Sequence, residues 1–208
     1  MLDGAPPAPM ATPGWPRVSA VSVLEGPFAI VAIVLAIGGL FKLRDPAPTG
    51  SMFAALGLPA SPLIVRLVGL IELAVGTLAF LVGGRLLAAA VAVGYLVFAG
   101  VTVLLVRRSE AGVSCGCFGR LSAPPSLVHV GVNVIAAALA IAAVVVDVPG
   151  FVSVRADLPA AGVPQALTIG VGAWLLVAVL TVLPDVLDAT RRGPRPPAIR
   201  EFEVISHP

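Results

Sequence analysis

Residues 86–106, LLAAAVAVGYLVFAGVTVLLV, form a run of 21 residues without a charged side chain. As a helix, such a run is about 30 Å long, which matches the hydrocarbon thickness of a bilayer. Four more apolar runs of comparable length occur at residues 24–41, 63–82, 127–148 and 165–183. Because all five runs are continuous rather than alternating, they exclude a β-barrel. The sequence therefore predicts an all-α, polytopic membrane bundle of five spanning helices.

The overall composition agrees with a lipid environment. Hydrophobic residues make up 58% of the chain and charged residues only 12%, whereas soluble domains carry about 25% charged residues. Mean hydropathy is +1.05. A net charge of +2 is too small to indicate binding to nucleic acid. The partner that composition predicts is the lipid bilayer.

The chain divides into four predicted regions. Residues 1–22 are rich in Pro and Ala, so we expect them to be disordered, and they contain no apolar core of a signal peptide. Residues 23–148 form a four-helix membrane domain, in which the first helix acts as an uncleaved signal anchor. Residues 149–187 hold a loop and the fifth helix, and residues 188–208 form a basic, disordered tail.

Helix ends are also marked in the sequence. We expect the first helix to begin after the Gly26-Pro27 pair and the fifth to stop near Pro184, because proline interrupts helical hydrogen bonding. Ser61 and Ser126 each precede an apolar run and are candidate N-caps.

Basic residues are distributed unevenly between the two sides of the predicted bundle. One side would carry Arg17, Arg85 and Arg155. The other, here called the cysteine side, would carry Lys42, Arg44, Arg107, Arg108, Arg120, Arg191, Arg192, Arg195 and Arg200. The positive-inside rule therefore predicts a cytoplasmic C-terminus in the cell membrane and an N-terminus outside. We expect Lys42 at the membrane surface, as a headgroup anchor or as part of a charged rim beside the cysteines.

Both cysteines of the chain fall in one loop, Cys115-Gly116-Cys117-Phe118-Gly119. The glycines permit a sharp turn, and a disulfide across one intervening residue closes a small, strained and readily reduced ring. This pattern favours a redox pair. A metal half-site and a simple glycine turn with unreactive thiols remain alternatives, although the chain has only two histidines to complete a tetrahedral site.

Glu72 lies in the interior of the second run, where an ionised carboxylate costs on the order of 3 kcal/mol. Gly69 and Gly76 share its helical face, so we expect Glu72 to point into the bundle, either protonated or paired. It is a candidate buried acid, as a proton carrier or a contact to substrate. The alternative is a structural hydrogen bond to a neighbouring helix.

His129 and Asn133 are four residues apart and share a face of the fourth run. His129 is a candidate base for a thiol, and the alternative is a hydrogen-bonded histidine at the membrane interface. Asn133 is expected to join helices through a hydrogen bond.

Several of these elements together resemble the methylamine utilisation MauE family of membrane proteins, which is similar in architecture to DoxX-like four-helix proteins. The elements are Phe41-Lys42-Leu43-Arg44-Asp45-Pro46, Leu56-Gly57-Leu58-Pro59, Ile71-Glu72-Leu73-Ala74-Val75-Gly76, the cysteine loop and the early Asn133, within residues 23–146. The fifth run and the basic tail lie beyond this core.

The resemblance implies a four-helix membrane bundle that helps to mature a disulfide-rich periplasmic amine dehydrogenase subunit, alongside a thioredoxin-like partner. Cys115 and Cys117 would carry that thiol–disulfide exchange or electron relay. The alternative is a non-enzymatic membrane carrier or assembly subunit in which the cysteines are structural. The residues leave open whether the protein is an enzyme, and no motif for a metal or another cofactor is visible.

Overall fold

The computed structural model describes residues 20–108, 116, 124–157 and 162–192. Most of these residues lie in helices. The helices are α1 (Ala20–Arg44), α2 (Ala47–Ala55), α3 (Pro62–Leu81), α4 (Arg85–Arg108), α5 (Leu127–Val146), α6 (Phe151–Asp157) and α7 (Gly162–Arg192). Of the terminal regions predicted to be disordered, residues 1–19 and 193–208 lie outside the described residues, whereas residues 20–22 and 188–192 are helical.

The prediction of five spanning helices is confirmed. Five helices are long and apolar enough to cross a membrane: Val23–Arg44, Pro62–Leu81, Arg85–Arg108, Leu127–Val146 and Gly162–Leu187. The short helices α2 and α6 lie between them in the chain, and neither was expected from the sequence. Helix α2 begins beside Pro46 with a proline in its first turn, where the missing N–H needs no partner.

Two predicted helix ends are wrong, and both involve proline. Helix α1 begins at Ala20 and contains Pro27, and helix α7 runs through Pro184 to Arg192. A proline lacks the backbone N–H that would bond the carbonyl four residues earlier in a helix. A membrane helix tolerates the proline where a neighbouring group donates a hydrogen bond to that carbonyl. In α7 that neighbouring group is a side chain of α5, described below.

The predicted N-caps differ from each other. The Ser61 hydroxyl accepts a bond from the Ile64 N–H at 3.5 Å, so it caps α3 as expected. Ser126 occupies the N-cap position of α5 but makes no capping bond with its side chain.

Helices α1 and α3 form the closest pair in the bundle. A Cβ atom at Gly39 or Gly69 would collide with the backbone of the facing helix, and one at Gly76 would collide with the backbone at Ala32. Such small residues let two helices approach until their backbones touch, which is how helices associate within a bilayer. This approach sets the register between Lys42 near the end of α1 and the middle of α3.

A second pair is formed by α4 and α5, which meet through small residues. Their buried side chains include Ala88, Val91 and Ala92 on α4, and Ala136, Ala137, Ala140 and Ala143 on α5. Helix α7 packs on α1 and α5. Away from the cysteine side, the α3–α4 turn is tied to the end of α5, because the Gly84 N–H donates to the Val148 carbonyl at 3.0 Å.

Candidate functional site

A buried ion pair lies between α1 and α3. The Lys42 ammonium donates to Oε2 of Glu72 at 2.7 Å, and the two side chains are only 4% and 9% exposed. The ring of Phe98, on α4, has its centroid 5.2 Å from Nζ of Lys42, within the range of a cation–π contact. Glu72 therefore points into the bundle and is paired, as expected.

The expected surface position of Lys42 is wrong. Lys42 lies in the last turn of α1, and the close approach of α1 and α3 at Gly39 and Gly69 carries its side chain inward to Glu72. Each charge makes burial of the other tolerable, since an unpaired charge in hydrocarbon is far more costly. Arg44, two residues later, is exposed and remains available as a surface anchor.

One oxygen of this pair has no hydrogen bond. Within the described parts of the chain, Oε1 of Glu72 is a buried side-chain atom without a partner. A carboxylate has about four lone-pair sites, and a buried acceptor that is left unpaired costs about 1–3 kcal/mol or more when it is charged. The centre of the site therefore contains a buried polar atom that makes no hydrogen bond.

His129 links helix α5 to helix α7 through hydrogen bonds. Its Nδ1 lies 2.9 Å from the Ser126 hydroxyl, and the ring also hydrogen-bonds the backbone of Leu180 on α7. Pro184 has no N–H with which to serve the Leu180 carbonyl four residues earlier, so the histidine takes the role of that missing donor.

A small cavity joins the residues that the sequence had singled out separately. It has a volume of about 20 Å³ and is lined by Lys42, Glu72, Tyr95, His129 and Asn133, together with apolar side chains. A space of this size holds about one water molecule. The fold thus brings the candidate acid Glu72 and the candidate base His129 to one buried space inside the bundle.

Tyr95 and Thr49 are polar side chains near the site, and each hydrogen-bonds to another part of the chain. The Tyr95 hydroxyl donates to the Val31 carbonyl at 2.7 Å and links α4 to α1 beside the cavity. Thr49, on α2, is completely buried, and its hydroxyl donates to the carbonyl of Gly116 at 2.6 Å. A polar side chain within an apolar run, such as Tyr95, predicts a hydrogen bond between helices, whereas nothing in the sequence around Thr49 indicated its burial.

Gly116 is the described residue of the cysteine loop. Its φ of +71° falls in the left-handed region that glycine adopts without strain, and a Cβ atom there would lie 3.0 Å from Cα of Thr49. The predicted redox residues Cys115 and Cys117 lie outside the described residues and are its covalent neighbours in the chain. The glycine between them is thus held against α2.

The described side chains do not form a metal-binding cluster. Over residues 20–108, 116, 124–157 and 162–192, no group of three or more His, Cys, Asp or Glu side chains is arranged to hold a metal ion. Cys115 and Cys117 lie outside those ranges.

Residues 20–148 match the family model described as methylamine utilisation protein MauE. No curated protein and no solved structure matches the chain. The matched segment covers more than half of the chain and contains α1 to α5, with the Lys42–Glu72 pair, Gly116 and His129. The chain therefore belongs to the MauE family of integral membrane proteins.

Proposed function

We propose that this protein supports the maturation of a partner protein, in the context of methylamine utilisation, by thiol–disulfide exchange at Cys115 and Cys117. The observation that carries the proposal is the anchoring of Gly116. A loop that must present two thiols needs a fixed backbone between them, and the Thr49 hydroxyl and the left-handed glycine supply it.

The exchange would transfer two electrons from the partner protein to the cysteine loop. A thiolate of the partner attacks one sulfur of the Cys115–Cys117 disulfide, and a mixed disulfide forms as the other sulfur leaves as a thiolate. The second partner thiol then resolves the mixed disulfide, so the partner loses two electrons and two protons. The loop gains them as two thiols. A thioredoxin-like protein in its disulfide form would take them up and restore the loop.

Family membership supports the setting for this chemistry. The match to a model named for methylamine utilisation covers the whole four-helix core, and the loop with both cysteines lies within it. A disulfide across a single residue is strained and therefore suited to exchange rather than to holding a structure together.

The proposal is tested by replacing each cysteine singly, Cys115→Ser and Cys117→Ser, and measuring the disulfide content of client proteins isolated from the same cells. We expect client proteins to contain fewer disulfides in both variants. Ser114→Ala, in the same loop, is the matched control and should leave the disulfide content unchanged. A client disulfide pattern that is unchanged in both cysteine variants would overturn the proposal.

A second candidate is a non-enzymatic carrier or assembly subunit, favoured by the buried cavity around Glu72 and Asn133. Under this alternative the thiols are dispensable and the polar interior is not. Asn133→Leu would then abolish client maturation while both serine variants remain active. The opposite result, with Asn133→Leu active and the serine variants inactive, favours exchange chemistry.

A further inference from the structure

Two exposed arginines lie on the cysteine side of the α1–α3 pair. Arg44 is the last residue of α1, and Arg66 lies one turn inside α3. Within the described parts of the chain neither forms an ion pair, not even Arg44 with the adjacent Asp45. Glu72, the buried acid of this helix pair, is already bound to Lys42. The described residues therefore leave both positive charges without a counter-charge.

The contact between α1 and α3 determines where these arginines lie. A Cβ atom at Gly69 would be 3.2 Å from the Leu43 nitrogen, and Val65, one turn before Gly69, is completely buried on the same face of α3. Arg44 follows the contact residue Leu43, and Arg66 follows the contact residue Val65. Because the two helices run antiparallel, residues at the same offset from the contact lie on the same side of the pair. The arginines thus share one side and differ in depth by less than a helical turn.

An apolar groove leads from the two arginines toward the middle of the membrane. Four incompletely buried residues share the faces of the arginines, at helical spacings of four and seven: Ile37 and Leu40 on α1, and Leu70 and Leu73 on α3. Leu70 is 53% exposed. Helix α7 bounds the groove on its far side, because it packs on α1 at Ile37 but makes little contact with α3.

The chemistry of this surface matches one class of lipid. The planar guanidinium of arginine binds phosphate oxygens through two parallel hydrogen bonds, and its long apolar stem lets the charge reach the headgroup layer from just inside the hydrocarbon. The apolar groove beside the arginines offers contact to an acyl chain. A zwitterionic lipid would bring its own positive charge to two unpaired arginines, whereas an anionic lipid would not.

We propose that Arg44 and Arg66 bind the phosphate of an anionic glycerophospholipid, of the phosphatidylglycerol type, with an acyl chain in the groove over α1 between α3 and α7. The site contains neither cysteine and so goes beyond the proposed thiol chemistry.

The test uses the full-length protein in a mild detergent and counts bound lipids by native mass spectrometry. Phosphatidylglycerol and phosphatidylcholine with identical acyl chains are titrated separately. We expect the first phosphatidylglycerol to bind about tenfold more tightly, since each basic residue near an anionic headgroup contributes roughly fivefold in affinity. Equal affinities for the two lipids would overturn the proposal.

Three variants localise the binding. Arg44→Gln and Arg66→Gln should each weaken phosphatidylglycerol binding about fivefold. Arg107→Gln removes the same charge from another exposed arginine on the cysteine side, at the end of α4, and should leave the affinity unchanged. Equal losses in all three variants would show that affinity follows net charge and would contradict the proposed site.

A soluble probe distinguishes a lipid from a free phosphate ester. Glycerophosphoglycerol carries the same headgroup without acyl chains, so it should not displace phosphatidylglycerol at equal concentration. Displacement would show that the groove contributes nothing and would overturn the lipid assignment.

The outcomes also separate this inference from the proposed function. Cys115→Ser and Cys117→Ser should bind phosphatidylglycerol as the unmodified protein does, and loss of the lipid preference in them would contradict a separate site. The comparison of the two lipids needs no variant at all, so it stays decisive even if a variant does not fold.

Discussion

At the scale of single residues, the Lys42–Glu72 pair is the feature that most constrains the interior. It holds two opposite charges 2.7 Å apart within a largely apolar bundle. Removing one partner of a buried pair leaves the other without compensation, which typically costs about 3–5 kcal/mol, whereas replacing both by apolar groups is often neutral.

We therefore expect Glu72→Ala to lower the free energy of unfolding by about 3 kcal/mol, and Lys42→Met combined with Glu72→Leu to restore most of the loss. Unfolding in mixed detergent micelles, followed by circular dichroism, measures both. Arg44→Ala, at the exposed neighbouring basic residue, is the matched control and should have little effect. If the double variant is as unstable as Glu72→Ala, the pair does not act as a unit.

His129 offers a second prediction at this scale, because it serves a carbonyl that Pro184 leaves without a donor. Pro184→Ala restores an N–H at that position, so the histidine becomes less important. His129→Phe should then cost less in the Pro184→Ala background than in the unmodified protein. Double-mutant cycles within membrane bundles give about 0.6 kcal/mol on average for such bonds. Strictly additive effects would show that the histidine and the proline are not linked.

At the scale of helices, the contact between α1 and α3 determines which polar side chains meet. The contact depends on glycines whose replacement would place a Cβ atom against the opposing backbone. Alanine is normally the better helix former by about 1 kcal/mol. A glycine at a helix contact therefore indicates that the contact has no room for a Cβ atom.

We expect Gly69→Ala to destabilise the protein and to separate Lys42 from Glu72, since its Cβ would lie 2.7 Å from the Gly39 carbonyl oxygen. Gly100→Ala is the matched control, because no atom lies within 4 Å of a Cβ at that position of α4. It should be neutral or slightly stabilising in the same unfolding assay. Equal effects of the two substitutions would contradict the steric explanation.

At the scale of the whole molecule, the five spanning helices could be predicted because each apolar run is long and continuous enough to form a helix by itself. Helix α2 was missed because residues 47–55 are too few to span a membrane and begin with Pro, Thr, Gly and Ser, which are typical of loops. Glu72 was expected to face inward, but its partner was not identified. Lys42 is 30 residues away in the chain, and its burial depends on the register between α1 and α3.

The orientation in the membrane is a prediction of the same scale. Without the buried Lys42, the cysteine side still carries eight basic residues and the other side carries three. A fluorescent protein that matures only in the cytoplasm should therefore be bright when fused to the C-terminus and dark when fused to the N-terminus. The reverse pattern would place the cysteine loop outside the cytoplasm.

The central claim, that Cys115 and Cys117 act as a redox pair, is tested most directly by alkylating the full-length protein in acid-quenched membranes with a maleimide of high mass. We predict that a fraction of the unmodified protein gains two labels only after prior reduction. Cys115→Ser, which cannot form the internal disulfide, should gain its single label without reduction. Two labels on every molecule of the unmodified protein, with or without reductant, would contradict the account.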